Sequence, residues 1–534
     1  NIDHIKNPIC LHSKFIEIAN KIPDKIAIID SGEGKIISYG KLFNMAVSLA
    51  SFLIENDIHK QPIAISTTRG YKQAVAALGI LMSGNLYVPV TVNQPKERRK
   101  LIHEKTGIYY VLTDENNYNS ITWPKDVKVW TIEEILSKKL MRKLPEVLPE
   151  SSAYIIMTSG TTGLPKGVEI THKGAWNTIN EVNKIINFRA EDKILGISAM
   201  DFDLSVYELF GTLSTGATLI TIPDDKSKDT EFWLELILKY KVNKWNSVPA
   251  LLDMLLIYTE LEGKKLPLDT VMLSGDWIGM DLPERLNRAT DNCKLIAMGG
   301  ATEASIWSNY IEVKLPLPSK WKSIPYGRPL AHQSYRIVDD NGLDVPFYVE
   351  GELLIGGDGV GTYRGDDKLV SEKFINEYHN RWYKTGDKGR FWRDGTIEFL
   401  GRKDFQVKIH GHRIELGEIE TALKSIENVK NAVVEANKGK VGDNHLIAYL
   451  ETGEYLEEPL YYLKTAVKKK IEDKKLLLDE DVAFKYDNNL YNKVLNYGEK
   501  RACKIMLNVL QNLGVLVLEK RYKYSDILEN SKVT

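Results

Sequence analysis

Met157-Thr158-Ser159-Gly160-Thr161-Thr162-Gly163-Leu164-Pro165-Lys166-Gly167 joins two β-like runs, Ala153–Ile156 and Val168–Thr171. Thr158 to Gly163 are all hydroxyl-bearing residues or glycine, so the turn offers backbone N–H groups and side-chain donors without bulky substituents, and Lys166 adds a point charge. That combination suits a polyphosphate. It is not a Walker loop, because the Gly-Lys-Ser/Thr order is absent. A plain Ser/Gly surface turn is the competing reading, and composition alone leaves the two level.

Outward from this loop, short β-rich runs alternate with helical patterns: Lys25–Asp30, Pro62–Thr67, Leu86–Val90, Tyr109–Thr113, Ala217–Pro223, Thr270–Ser274 and Lys294–Met298. The alternation predicts an α/β fold in which helices wrap parallel sheets, with ligands at the carboxyl ends of the strands. From about Pro325, turn signals at Asp339–Gly342 and Arg393–Gly395 separate short alternating runs, which predicts a small antiparallel, β-barrel-like element. Beyond Gly401–Asp404, Ile414–Val429 and the Tyr461–Lys475 region read as helices around strand-like Asn431–Ala436 and His445–Glu451, a small α+β unit. Leu490–Leu513 reads as a separate helical piece. The predicted architecture is therefore a large N-terminal domain of doubly wound parallel sheets (1–402), a small mobile α+β domain (403–484) and a helical tail (485–534).

Lys plus Arg number 71 against 72 Asp plus Glu, so no basic field exists to attract nucleic acid or a membrane, and an anionic ligand needs a local site. The longest apolar stretch, Ala74–Met82, is too short for a bilayer and reads as a buried helix. Three scattered cysteines form neither a disulfide framework nor a structural zinc site, which points to a reducing, cytoplasmic compartment. The first residue is Asn1, and the chain reads as a fragment of something longer.

The loop resembles the phosphate-binding signature of the adenylate-forming superfamily. Gly299-Gly300-Ala301-Thr302-Glu303, Tyr383-Lys384-Thr385-Gly386-Asp387 and Gly401–Glu415 follow in the family's order, and Lys408–Glu420 is most similar to the peptide-synthetase branch. The resemblance implies activation of a carboxylate by ATP and Mg²⁺ and transfer of the acyl group to the phosphopantetheine of a separate peptidyl carrier protein. Lys166, Thr302 and Glu303 are then the catalytic candidates. Thr158, Ser159, Gly160, Thr161, Thr162, Gly163, Gly299, Gly300 and Ala301 line the nucleotide with them. Glu303 is the implied metal ligand, Asp387 and Arg402 the implied ribose contacts, and Asp404 the implied hinge.

Asp203, in Phe202-Asp203, matches the aspartate that grips a substrate α-ammonium; a buried carboxylate needs such a cation. The other implied pocket residues are Leu204, Tyr207, Asn246, Met272, Ser274, Met298, Ile306 and Trp307, a set similar to that of L-cysteine-activating domains. Tyr207 and Trp307 leave room for a small side chain, although physics alone does not separate cysteine from serine or alanine. Implied partners are a cyclisation or condensation domain, a methyltransferase and an MbtH-like helper protein.

Two features depart from the family. Gly299 stands where a tyrosine normally stacks on adenine, and the family's C-terminal catalytic lysine has no counterpart, Asn492-Lys493-Val494 being a superficial match. Helical Asn489–Leu516 resembles the start of an inserted methyltransferase, which would put that lysine beyond Thr534. An acyl- or aryl-CoA ligase and a catalytically incomplete ATP- and amino-acid-binding module are the rival readings. Gly357–Gly361 reads as a loop rather than a dinucleotide fingerprint, and His410 and His412 lack a third metal ligand.

Overall fold

The computed structural model describes residues 4–159, 165–319, 321–378, 380–403, 406–409, 412–424, 426, 429–438, 444–452 and 515–516. They fall into two compact units. The larger takes in nearly all of the described chain up to Lys403, and the smaller takes in Gln406–Ile409 and the described residues from Arg413.

Two sheets dominate the larger unit. The first runs in the order Thr362–Tyr363, Lys166–Thr171, Ser152–Thr158, Leu86–Pro89, Pro62–Ser66, Tyr110–Thr113 and Lys128–Thr131. Its interior is parallel, and Lys166–Thr171 pairs antiparallel with Ser152–Thr158 next to the edge strand Thr362–Tyr363. The second has nine strands, with Lys294–Gly299, Thr270–Leu273, Lys244–Ser247, Lys193–Gly196, Thr218–Thr221 and Ile26–Asp30 parallel in its middle. Antiparallel strands Asn309–Val313 and Lys35–Ser38 flank that core.

Strands buried on both faces read as continuous apolar runs, and successive side chains divide between two cores. Along Thr270–Leu273 and Lys294–Gly299, Val271, Leu273, Leu295 and Ala297 join one core, while Met272, Ile296 and Met298 join the other. Trp245 belongs to the first, so Asn246 shares the face of Met272, its register partner. Three adjacent strands thus aim Asn246, Met272 and Met298 to one side, and Ser274 follows two residues beyond Met272 at a strand's carboxyl end.

Helix Tyr71–Met82 is buried along its length, apart from Lys72 and Gln73 near its start, as the apolar run Ala74–Met82 predicts. Gly79 permits its packing on helix Tyr39–Glu55: a Cβ there would stand 2.6 Å from Leu49 Cδ2. Among the described residues no helix is long and apolar enough to cross a membrane.

The turn-rich region forms a third sheet of five antiparallel strands, Gln333–Val338, Gly351–Gly357, Asn380–Phe391, Phe374–Glu377 and Ile397–Arg402. The expectation of a barrel-like element is corrected here: among the described residues the sheet is open. Asn380–Phe391 is long enough to pair with three neighbours at once, and no pairing joins Gln333–Val338 to the far edge.

In the smaller unit, Val429–Lys438 pairs antiparallel with Asn444–Thr452 under helix Leu416–Lys424, around Leu416, Leu423, Ala432, Val434, Leu446 and Ala448. Val515–Leu516, which the helical pattern carried to its end, is instead a short strand parallel to Leu446–Ile447. Apolar β-branched and leucine residues at a helix end complete a sheet edge equally well. The rest of the tail, Tyr461–Lys475, Asn492–Lys493 and Asp404 lie outside the described residues.

Candidate active site

Thr158 and Lys166 face one another across the last rung of the antiparallel pair Ser152–Thr158 and Lys166–Thr171. The Thr158 Oγ1 is buried and has no hydrogen-bond partner, an expensive state for a hydroxyl unless a ligand completes it. An anion accepting from Thr158 and paired with Lys166 fits that defect. Gly160, Thr161, Thr162 and Gly163 lie outside the described residues, and Ser159 follows the last residue of the strand, Thr158.

Strand Lys294–Gly299 ends in Gly299-Gly300-Ala301 and a single turn, Thr302–Ala304. Gly300 has φ +149°, and a Cβ on it would come within 2.8 Å of Ser308 N, so the bend excludes larger residues. The bend sends Thr302 to Asp203, 99 residues away in sequence: the Thr302 hydroxyl donates to Asp203 Oδ2 at 2.7 Å. Asp203 is 5% exposed. Thr302, a nucleotide-lining catalytic candidate, and Asp203, the implied ammonium anchor, are therefore hydrogen-bonded neighbours.

Glu303 is fully buried, and its Oε1 accepts from the Tyr363 hydroxyl at 2.8 Å. Gly361 N donates to the Glu303 carbonyl at 2.9 Å, and Ser305 Oγ donates to the Gly359 carbonyl at 2.7 Å. The Gly357–Gly361 segment, a loop as its sequence predicts, thus props up the Glu303 turn. Ser305 and Ile306 both hold positive φ, +61° and +71°, which is costly for a β-branched residue and turns Ile306 and Trp307 into the core. Among the described residues no three His, Cys, Asp or Glu side chains converge as a metal cage. One buried carboxylate beside nucleotide phosphates is nevertheless how Mg²⁺ is commonly held.

All nine implied substrate residues, Asp203, Leu204, Tyr207, Asn246, Met272, Ser274, Met298, Ile306 and Trp307, are buried. Tyr207 and Trp307 lie with ring centroids 4.9 Å apart, and their polar ends are occupied. The Tyr207 hydroxyl donates to Asn183 Oδ1 at 2.8 Å, and Trp307 Nε1 donates to Ser274 Oγ at 2.9 Å. The Asn246 Oδ1 has no partner.

Asp387 and Arg402 are directly opposite on antiparallel strands, and Arg402 Nη1 donates to Asp387 Oδ1 at 2.7 Å and to the Thr385 carbonyl at 2.9 Å. With Oδ1 engaged, a bidentate grip on two hydroxyls requires Arg402 to share that oxygen.

Three residues in this region had no signal in the sequence. Tyr326 is held by the Gly327–Ile397 bridge so that its ring stacks on Phe399, centroids 5.0 Å apart and planes 6° apart. Its Cε1 is 3.1 Å from where a Cβ on Gly299 would lie, so Tyr326 occupies space that a side chain at 299 would enter. Burial, with Asp387 nearby, holds its phenol well above the ordinary range. Tyr363 enters the site through its bond to Glu303. Glu208, in the widened π-turn Tyr207–Gly211, reads in sequence as one more charged helix residue, yet it is buried, and desolvation pushes its carboxyl up to about 8.

A sequence profile of the family described as AMP-binding enzyme matches residues 15–363, more than half of the chain, and the protein belongs to that family. It is similar to the anguibactin system regulator of Vibrio anguillarum, 44% identical over 446 residues, covering 82% of this chain and 42% of that protein. It is also similar to the pyochelin synthetase PchE of Pseudomonas aeruginosa, 42% identical over 425 residues, covering 79% of this chain and 29% of that one. The chain thus spans less than half the length of these relatives. Among solved structures, the nonribosomal peptide synthetase FmoA3 in its α-methyl-L-serine-AMP bound form superposes with a TM-score of 0.72 at 32% identity, covering 78% of this chain and 47% of that one.

Proposed function

We propose that the chain is the adenylation domain of a non-ribosomal peptide synthetase, activating L-cysteine with ATP and loading it on a carrier-protein phosphopantetheine thiol. A substrate carboxylate oxygen attacks the α-phosphorus, the bond to pyrophosphate breaks, and the carrier thiol later attacks the acyl carbon as AMP leaves. Glu303 would hold Mg²⁺, whose positive charge would offset that of the phosphates. Lys166 and Thr158 take phosphate oxygens, Asp203 takes the α-ammonium, and Asp387 with Arg402 takes the ribose.

The observation that carries the reading is the contact between Thr302 and Asp203, a buried carboxylate followed directly by the buried Leu204. One interaction couples the amino-acid anchor to the phosphate side of the site. The choice of cysteine is supported by the pocket's chemistry: two large rings restrict its volume, and Asn246 Oδ1 is an acceptor awaiting a donor such as a thiol. The similarity to a structure bound to α-methyl-L-serine-AMP, an amino acyl-AMP of comparable size, agrees with it. A pyrophosphate-exchange panel tests the proposal. Cysteine is expected to lead, with serine and alanine trailing by the roughly 10–200-fold that one small group allows. Preference for a large apolar residue refutes the pocket assignment, exchange driven by acids without an amine supports an acyl- or aryl-CoA ligase, and no exchange at all supports a binding module.

Tyr326 takes over the aromatic role that Gly299 cannot fill, as the platform for adenine. Base–aromatic stacking is worth about 1–3 kcal/mol. Tyr326→Leu is therefore expected to raise the KM for ATP roughly 5- to 140-fold with the KM for cysteine unchanged, and Tyr326→Phe to stay near native. Steady-state exchange against ATP concentration measures both.

A further inference from the structure

Asn246 carries a primary amide in a site that touches no solvent, and the groups around it determine which end faces the ligand. Its Nδ2 is directed at two acceptors, the Leu204 carbonyl at 3.5 Å and Glu208 Oε1 at 3.4 Å. Turning the amide over would set its oxygen against the Leu204 carbonyl, and against Glu208 Oε1 wherever that oxygen carries no proton, so the orientation is one-sided, and Oδ1 is left as the buried, unpartnered atom. Glu208 is in turn fixed by Ser198, whose Oγ lies 2.6 Å from Oε1 and whose N donates to Oε2 at 3.1 Å.

We propose that Glu208 is a positioning residue for selectivity: it clamps the Asn246 amide so that Oδ1 is presented to a hydrogen-bond donor on the substrate side chain.

The clamp works in either protonation state. As a carboxylate, Glu208 accepts from Ser198 and Asn246. As the neutral acid, it donates its own proton to Ser198 Oγ, whose hydroxyl turns, and still accepts from Asn246 Nδ2. The nearby cation, Arg69, is committed elsewhere, donating to the Ile197 carbonyl at 2.9 Å and pairing with Asp224 at 3.3 Å. A cavity of about 60 Å³ is lined in part by Glu208, Ser198 and Arg69 and by none of the nine implied substrate residues, with room for water beside the carboxyl. A glutamate is thereby tolerated at a position whose neighbours Tyr207, Leu209 and Phe210 are core residues.

This inference rests on the proposed cysteine pocket, and the experiment separates the two. Pyrophosphate exchange is measured with cysteine and with 2-aminobutyrate, which has the same shape with a methyl in place of the thiol, and the ratio of their kcat/KM values is the readout. A native protein that does not prefer cysteine refutes the cysteine assignment. If the native protein does prefer it, Glu208→Leu is expected to cut the ratio at least fivefold through the KM for cysteine, leaving the KM values for ATP and 2-aminobutyrate unchanged. In an Asn246→Ala background the same substitution should change the ratio no further. An unchanged ratio, a proportional loss for both substrates, or independent effects of Glu208 and Asn246 overturns the positioning role. Ser198→Ala, which frees Glu208 without emptying the core, covers the case in which Glu208→Leu does not fold: the ratio should fall at least twofold, and no fall overturns the proposal.

Discussion

Asp203→Asn is expected to lower cysteine-dependent pyrophosphate exchange by two to three orders of magnitude, chiefly through the KM for the amino acid. The native carboxylate is 5% exposed and bonded to the Thr302 hydroxyl, so it has lost most of its hydration, and it attracts an arriving ammonium in a medium where that attraction is strong. Removing one member of a buried ion pair costs about 3–5 kcal/mol, and each 1.4 kcal/mol is a factor of ten. Asparagine preserves the shape and can still accept from Thr302, so the turn at Gly300–Glu303 should keep its place. A second measurement isolates the charge. 3-Mercaptopropionate, the same acid without the amine, should gain on cysteine in the variant by at least tenfold relative to the native protein. An Asp203→Asn protein within tenfold of native on cysteine would remove the ammonium anchor from the reading.

The sheets were legible because their strands are apolar on both sides. Ile63 to Ile65, Val111 to Leu112 and Leu295 to Met298 carry no competing signal. Lys244–Ser247 escaped notice because it opens on a lysine and carries Asn246 and Ser247; the Lys244 ammonium is buried only by virtue of Asp192 and Asp269, which converge from loops 52 and 25 residues away. Periodicity cannot reveal such pairing. The phosphate loop was legible for the opposite reason, since its composition departs so far from any packed element. Asp203, Thr302 and Glu303 could be named from their strings, but their contacts could not: Tyr363 meets Glu303 across 60 residues, and Tyr326 reaches Gly299 only through the Gly327–Ile397 bridge. Glu208 was hidden most completely, because a glutamate in Val206-Tyr207-Glu208-Leu209 has the spacing of a solvated helix face and is instead turned inward by a π-turn.

Glu303→Gln is expected to lower kcat for exchange by about 10²–10³, the usual cost of removing one group that stabilises developing charge. The substitution distinguishes two roles that the geometry makes compatible. As a structural residue, Glu303 would serve by accepting from Tyr363, and a glutamine oxygen accepts that bond equally well, so the variant would be nearly silent. As the ligand for a hard cation, it supplies a full negative charge that an amide cannot replace, and the variant would be crippled with its fold intact. Tyr363→Phe provides the complementary arm. It removes one hydrogen bond worth about 1 kcal/mol, so activity should fall only about fivefold while the metal ligand remains. Measuring exchange against free Mg²⁺ concentration separates the cases further. The half-saturating concentration should rise several-fold in Glu303→Gln, stay near native in Tyr363→Phe, and an unshifted curve in Glu303→Gln with near-native kcat would assign the carboxylate to holding the turn alone.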